Sequence, residues 1–251
     1  MKRFLTLCLL TLITITCNSQ TWKRNRLEVF VGLPVTHYFG DIGGTADSKN
    51  MFGLKDISFK ALRPGVSVGA IYRLNQYLYV QASSNFLTLG SSDKGSKNAE
   101  RNYGFSTFGS EITATAMFYI IPESDRNYFY SVMDLRGGLR QINKPLSVYI
   151  FAGAGGLFYS VSPKLDLIDS DRFNNSENFT AIIPFGIGMK YQIMARTLLG
   201  VELGARYVLS DHLDGLTTSF SKHNDTYYVL NFKLYYRLPY QKFLQKIKRK
   251  F

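Results

Sequence analysis

The stretch TYYVLNFKLYYRL, Thr226 to Leu238, narrows what this chain can fold into more than any other feature. Its even positions, Tyr228, Leu230, Phe232, Leu234, Tyr236 and Leu238, are all apolar or aromatic, whereas its odd positions include Asn231, Lys233 and Arg237. Successive side chains of a strand point to opposite faces, so one face of this segment is apolar throughout and the other carries charge. An apolar face of that length is more than a soluble sheet strand needs.

The pattern recurs along the chain. Leu198–Leu209 sets Leu199, Val201, Leu203, Ala205, Tyr207 and Leu209 against Gly200, Glu202, Gly204 and Arg206. Ala181–Tyr191, Glu111–Ile120 and Leu27–Phe39 alternate in the same way, with Lys190, Glu111 and Glu28 on their polar faces. Three weaker segments are Arg63–Leu74, with Arg73 on its polar face, Tyr77–Leu89, and the Gly-rich Leu146–Phe158. Eight such segments predict an all-β fold, an eight-stranded antiparallel transmembrane β-barrel of outer-membrane type. A soluble barrel or sandwich also alternates, but turns its polar residues outward; here the apolar face is the long, uninterrupted one.

The connections alternate in length. Asn75-Gln76 and Ile193 to Arg196 are short, while Gly40–Leu62, Gly90–Gly104, Ser160–Asn178 and Ser210–Asp225 are long and polar. Short turns belong on the periplasmic side and long loops outside, which puts both chain ends in the periplasm. Pro122–Lys144 breaks this rule, because it is long yet falls on the periplasmic side.

Closure follows from the solvent. An unpaired backbone group in hydrocarbon costs several kcal/mol, so an open sheet edge is excluded. Eight strands enclose a space that side chains fill. The inward charges Glu28, Arg73, Glu111, Lys190, Glu202, Arg206, Lys233 and Arg237 then have to neutralise one another. Glu202 and Arg206 are expected to face Lys233 and Arg237 on the next strand, giving a plugged lumen without a wide pore.

The first nineteen residues read as a leader. Lys2 and Arg3 precede the apolar run Phe4–Thr16, and Cys17 and Ser19 suit cleavage after Ser19. Lipoprotein processing at Cys17 is the alternative, poorly served by Thr14-Ile15-Thr16. Both cysteines, Cys8 and Cys17, lie in this leader. A mature chain from Gln20 therefore has no disulfide, thiolate catalysis or Cys-ligated metal. The formal charge of +12 falls to +10 when Lys2 and Arg3 are removed. Export makes outer-membrane lipid and lipopolysaccharide, or an acidic protein, more fitting partners than nucleic acid. The division is a leader over 1–19, a barrel over 20–239 with the connection 122–144, and a tail over 240–251. Tyr240, Phe243, Leu244, Ile247 and Phe251 recur at helical spacing among Lys242, Lys246, Lys248, Arg249 and Lys250. That spacing predicts a short basic C-terminal helix, amphipathic, with a frayed solubilising tail as the alternative.

Two clusters invite chemistry. Asp211, His212 and Asp214 crowd one loop, but Asp214-Gly215 is turn chemistry, and a hydrolase needs a positioned nucleophile or a second acid as well. Asp166, Asp169 and Asp171 are too few for calcium, which takes six or more oxygens. The expectation is therefore no catalytic residues, no metal and no cofactor.

Three stretches carry a family likeness: Tyr38-Phe39-Gly40-Asp41-Ile42-Gly43-Gly44, Asn143-Lys144-Pro145-Leu146-Ser147-Val148-Tyr149, and Ser210-Asp211-His212-Leu213-Asp214-Gly215. In order and placement they resemble a Bacteroidetes family of small outer-membrane barrels, and within it the PorG-like barrels of the type IX secretion system. His212 stands where many members have an aromatic residue, and Gly215 where many have an acid. The resemblance implies a structural role: attachment to periplasmic ring proteins of PorK–PorN type and anchorage of that ring to the outer membrane. It offers no catalytic residue. The segments left to meet a partner are the connection, with Tyr128, Phe129, Tyr130, Met133, Arg136, Arg140 and Lys144, and the tail, with Phe243, Lys246 and Ile247. Aromatics with Arg are enriched at interfaces. A free-standing adhesin or surface hydrolase is the competing reading.

Overall fold

The computed structural model describes residues 26–39, 42, 61–93, 100, 102–123, 145–168, 170, 173, 178–194, 196–210, 213, 215 and 225–239. Its strands are β1 (Leu27–Phe39), β2 (Arg63–Pro64), β3 (Val66–Arg73), β4 (Leu78–Ser92), β5 (Tyr103–Ile121), β6 (Leu146–Leu165), β7 (Phe179–Gln192), β8 (Thr197–Val208) and β9 (Thr226–Leu238). Each pairs antiparallel with its neighbours, and β9 returns to β1 in unbroken register from Leu27 opposite Leu238 to Phe39 opposite Thr226. The sheet is therefore closed. Because β2 and β3 lie end to end along β1, the barrel has eight staves.

The break between β2 and β3 falls at Gly65. A Cβ there would lie 2.4 Å from the Phe86 carbonyl oxygen, and the Gly65 amide donates to Pro34 O at 2.8 Å. Only glycine allows β4 to approach so closely.

Three strands run further than the alternation suggests: β4 to Ser92, β5 back to Tyr103 and β6 on to Leu165. The ends of what reads as loop over Gly90–Gly104 and Ser160–Asn178 are thus strand. Phe105, Tyr159 and Val161 still point inward and are buried, but the outward positions become Ser106, Ser160, Ser162 and Lys164. Polar outward residues signal that these three strands project beyond the apolar zone.

Elsewhere the outer face is apolar. Leu33, Val68, Phe86, Ile112, Ile150, Phe185, Leu203 and Phe232 are all exposed, covering every stave. Apolar surface that encircles a molecule far exceeds what a water-soluble monomer exposes. Aromatics gather at its edges: Tyr72, Tyr77, Phe118, Tyr191 and Tyr236 toward the short turns, and Phe39, Phe108, Phe158, Phe179 and Tyr228 toward the long connections. An apolar band between two aromatic girdles, around a polar interior, is the outer-membrane type of barrel.

The short turns are tightly bonded. Asn75 Oδ1 accepts from the amides of Tyr77 at 2.8 Å and Leu78 at 2.7 Å, and Ile193 N donates to Thr197 O at 3.1 Å. The tail from Tyr240, with its expected helix, and the segment 124–144 lie outside the described residues.

Candidate functional site

The alternation that turns apolar side chains outward drives every charged strand residue into the lumen, so the lumen is where chemistry concentrates. Glu28, Arg73, Glu111, Lys190, Glu202, Arg206, Lys233 and Arg237 all face inward, none more than 5 % exposed. Three tiers fill the space between the two mouths.

The tier beneath the long connections is apolar. Ile42, Leu167 and Leu213, one from each of three connections, tuck into the mouth against Leu87, Phe105 and Tyr159. Polar bonds hold this cap: Thr107 Oγ1 donates to Leu213 O at 2.9 Å, while Asp225 accepts from Tyr38 OH at 2.6 Å and Leu213 N at 3.0 Å. Gly215 beside it has φ +73°, the left-handed conformation expected of an Asp-Gly turn. Asp211, His212, Asp214, Asp169 and Asp171 lie outside the described residues. Among the described residues no group of three His, Asp or Glu is placed to hold a metal.

The middle tier holds two ion pairs. Glu202 and Lys233 stand 2.7 Å apart; Tyr149 OH donates to the same carboxylate at 3.0 Å, and Lys233 lies 4.5 Å from the centre of the Phe30 ring. Glu111 accepts from Asn85 Nδ2 at 2.9 Å and Tyr227 OH at 2.8 Å, and Arg206 approaches it at 3.6 Å. Arg206 thus pairs across the lumen with β5, and Arg237 pairs with Glu28 and Glu123. Of the expected neutralisation of Glu202 and Arg206 with Lys233 and Arg237, the Glu202–Lys233 contact is present, whereas Arg206 finds Glu111 and Arg237 finds Glu28 and Glu123. Alternation settles which face a charge occupies, whereas its partner depends on which long side chains meet across the closed barrel.

The tier at the short-turn mouth is a ring of four charges. Lys190 Nζ lies 2.7 Å from Glu28 Oε2 and 3.0 Å from Glu123 Oε1; Arg237 Nε lies 3.0 Å from Glu28 Oε1, and its Nη2 2.7 Å from Glu123 Oε2. Each carboxylate oxygen has one cationic partner and each cation bridges both acids. Tyr79, Tyr119, Tyr149 and Tyr235 surround Lys190, with ring centres 4.4 to 6.0 Å from its Nζ. Tyr rings present a negative face to a cation, so the cage attracts the Lys190 ammonium group. Arg73 sits beside this tier, over the Tyr79 ring at 5.3 Å, and donates to Asn75 O.

Glu123 escapes the alternation because it follows Pro122, past the end of β5. Burial opposes its charged form, but Lys190 and Arg237 prevail and hold the carboxyl below the ordinary carboxylate value of 4.5. With Glu123 the two tiers below the cap, Arg73 included, carry four acids and five cations, close to neutral. The partner residues expected in the connection and tail, Tyr128, Phe129, Tyr130, Met133, Arg136, Arg140, Lys144, Phe243, Lys246 and Ile247, lie outside the described residues.

Glycines on β6 to β8 make room for this filling. A Cβ at Gly188 would lie 2.3 Å from the Tyr149 ring, at Gly200 2.7 Å from the Tyr235 ring, and at Gly204 2.7 Å from the Phe151 ring. Large rings therefore close against bare backbone.

Comparison with known proteins gives one family match. A family model described as a domain of unknown function, DUF6089, matches residues 2–236. No curated protein matches the chain. Among solved structures, the chain is similar to Neisserial surface protein A, at 12% identity, TM-score 0.46, over 84% of this chain and 97% of that one. It is also similar to the outer membrane protein OprG from Pseudomonas aeruginosa, at 8% identity, TM-score 0.44, over 86% and 98%. A third is Ail, the attachment invasion locus protein of Yersinia pestis, at 13% identity, TM-score 0.42, over 86% and 99%.

Proposed function

The chain belongs to the DUF6089 family, and we propose that it serves as a structural outer-membrane barrel of a protein secretion machine, type IX-like, that anchors a periplasmic ring or scaffold. The observation that carries this reading is the filled lumen. An apolar cap, two ion pairs and a four-charge ring follow one another from mouth to mouth, each engaged with its neighbours. A barrel packed in this way works through its rims.

In this reading the short-turn mouth faces the periplasm, with both termini, the connection 122–144 and the basic tail on that side. The outer face meets outer-membrane lipid and lipopolysaccharide. The partners are ring proteins of PorK–PorN type, and the chain is a PorG-like Bacteroidetes barrel, as its three family-like stretches imply. The lumen charges have a structural role, without catalysis or cofactor. The connection supports anchoring because a stand-alone barrel gains nothing from ordering such a segment.

The test is to replace residues 124–144 with a four-residue turn and recover the tagged barrel from detergent-solubilised membranes. Loss of the co-purifying ring, with the barrel still folded and secretion impaired, is the expected result. Full assembly and secretion by the shortened protein would remove the anchor reading. The second reading, a free-standing adhesin or surface hydrolase, draws on the projecting wall of β4 to β6 and predicts that the shortened protein keeps its activity.

A further inference from the structure

Glu123 stands where the barrel ends and the connection begins, and its contacts are not local. The eight staves run in the order β1, β2/β3, β4, β5, β6, β7, β8, β9, so β5 and β9 are diametrically opposed. Yet Glu123, two residues beyond β5, bonds Arg237 on β9 at 2.7 Å as well as Lys190 on β7 at 3.0 Å. Glu111 also reaches β9 from within β5, but Glu123 does so from beyond the strand end and is itself buried, so the chain has turned inward at the mouth.

Two features of the strand end produce that turn. The pairing of β5 with β6 shifts register between Tyr119 and Ile121, where one extra residue sits on β5. Such a bulge bends the strand that carries it. Pro122 follows, with its fixed φ and no amide to offer a ladder. Tyr119 OH then donates to Glu123 Oε1 at 3.1 Å, bracing the bend from within. Six other strands contribute groups around the ring that holds this carboxylate: Glu28 from β1, Arg73 from β3, Tyr79 from β4, Tyr149 from β6, Lys190 from β7, and Tyr235 and Arg237 from β9. The Glu123 side chain is 2 % exposed.

We propose that Glu123 is a positioning residue: it straps the end of β5 to the opposite wall at the short-turn mouth, so that the chain enters the connection from inside the rim. The strap stands on the geometry of the ring; its use by a ring-type partner rests on the anchoring reading above. Glu28 is the built-in control. It occupies the same ring with the same charge and the same two cations, but it lies within β1 and carries no connection.

The experiment compares the full chain, purified in detergent, with Glu123→Gln and Glu28→Gln. Trypsin cleavage within 124–144, which contains Arg126, Arg136 and Arg140, is timed while heat-modifiable migration reports that the barrel is folded. Glu123→Gln should speed cleavage by about tenfold or more, because cleavage tracks the open population, while Glu28→Gln stays within about twofold. Equal acceleration in both, or none in Glu123→Gln, overturns the strap. Should Glu123→Gln fail to fold, Glu123→Asp, which keeps the charge but shortens the reach, is read by the same criteria. Ring co-purification, measured separately, reports on the anchoring reading alone.

Discussion

Glu202 Oε2 and Lys233 Nζ stand 2.7 Å apart on adjacent staves, both almost wholly buried in the middle of the lumen. It is the closer of the two ion pairs of that level, and Lys233 has its carboxylate partner in Glu202, so its members depend on each other. Glu202→Ala should strand Lys233 and cost about 3–5 kcal/mol, since an unpaired charge remains out of water. A urea titration in detergent reads this as a lower midpoint. Glu202→Leu combined with Lys233→Met should recover most of the loss, because the pair is then replaced by apolar volume. An unchanged midpoint for Glu202→Ala would contradict mutual neutralisation.

Leu203 is half exposed on the outward face of β8. In hydrocarbon, Leu203→Arg should cost about 2–4 kcal/mol near mid-bilayer. Folding into lipid vesicles, scored by heat-modifiable migration, should fall sharply. A barrel standing in water would take the same change almost unaltered, so the measurement separates the two environments.

Gly153 has no room for a side chain: a Cβ would lie 2.1 Å from Ala114 O, a backbone atom that cannot swing aside. Gly153→Ala should destabilise the barrel by about 1–3 kcal/mol through forced separation of β5 and β6. Gly104→Ala meets the Leu165 side chain at 3.2 Å and the Ser91 carbonyl oxygen only at an ordinary 3.6 Å, and should be tolerated. Equal midpoints for the two variants would refute the close approach.

The depressed carboxyl of Glu123 has a pH signature. A group whose folded value lies below its unfolded value adds stability above the ordinary carboxylate value of 4.5, and loses it as pH falls below that toward the folded value. The midpoint difference between the natural chain and Glu123→Gln should be constant at neutral pH and narrow progressively below about pH 4.5. A difference that widens on acidification would reverse the sign and disprove the ion pairing.

The filled lumen also predicts electrical silence. Reconstituted in a planar bilayer, the barrel should show no steady unitary current, because an eight-stave interior occupied by side chains leaves no water column. Sustained porin-like conductance would mean that the three tiers part readily.

The last stave shows how much of this was legible in the sequence. Tyr228 to Leu238 on one face and Lys233 and Arg237 on the other disclose the strand, its depth in lipid and the side on which charge resides. Register with β1 and β8 follows from closure. Two things stayed hidden, each for a physical reason. The upper part of β6 reads as loop because Ser160, Ser162 and Lys164 face water above the apolar band, so the outward-apolar signal disappears while the strand continues. Glu123 was invisible because its place depends on a bulge and a proline that redirect the chain, and periodicity carries no information past a strand end. Arg206 lies between these cases: its face was readable, its partner Glu111 across the lumen was not.

The reach of Glu123 to Arg237 has a mechanical side. A pull on a chain that left β5 at the rim would peel the β5–β6 ladder one hydrogen bond at a time, the weakest way to load a sheet. Here the same pull passes through one carboxylate to β7 and, across the diameter, to β9, whose own ladders with β8 and β1 are long and in register. The force is shared as shear among several staves at once, and the closed wall resists as a hoop.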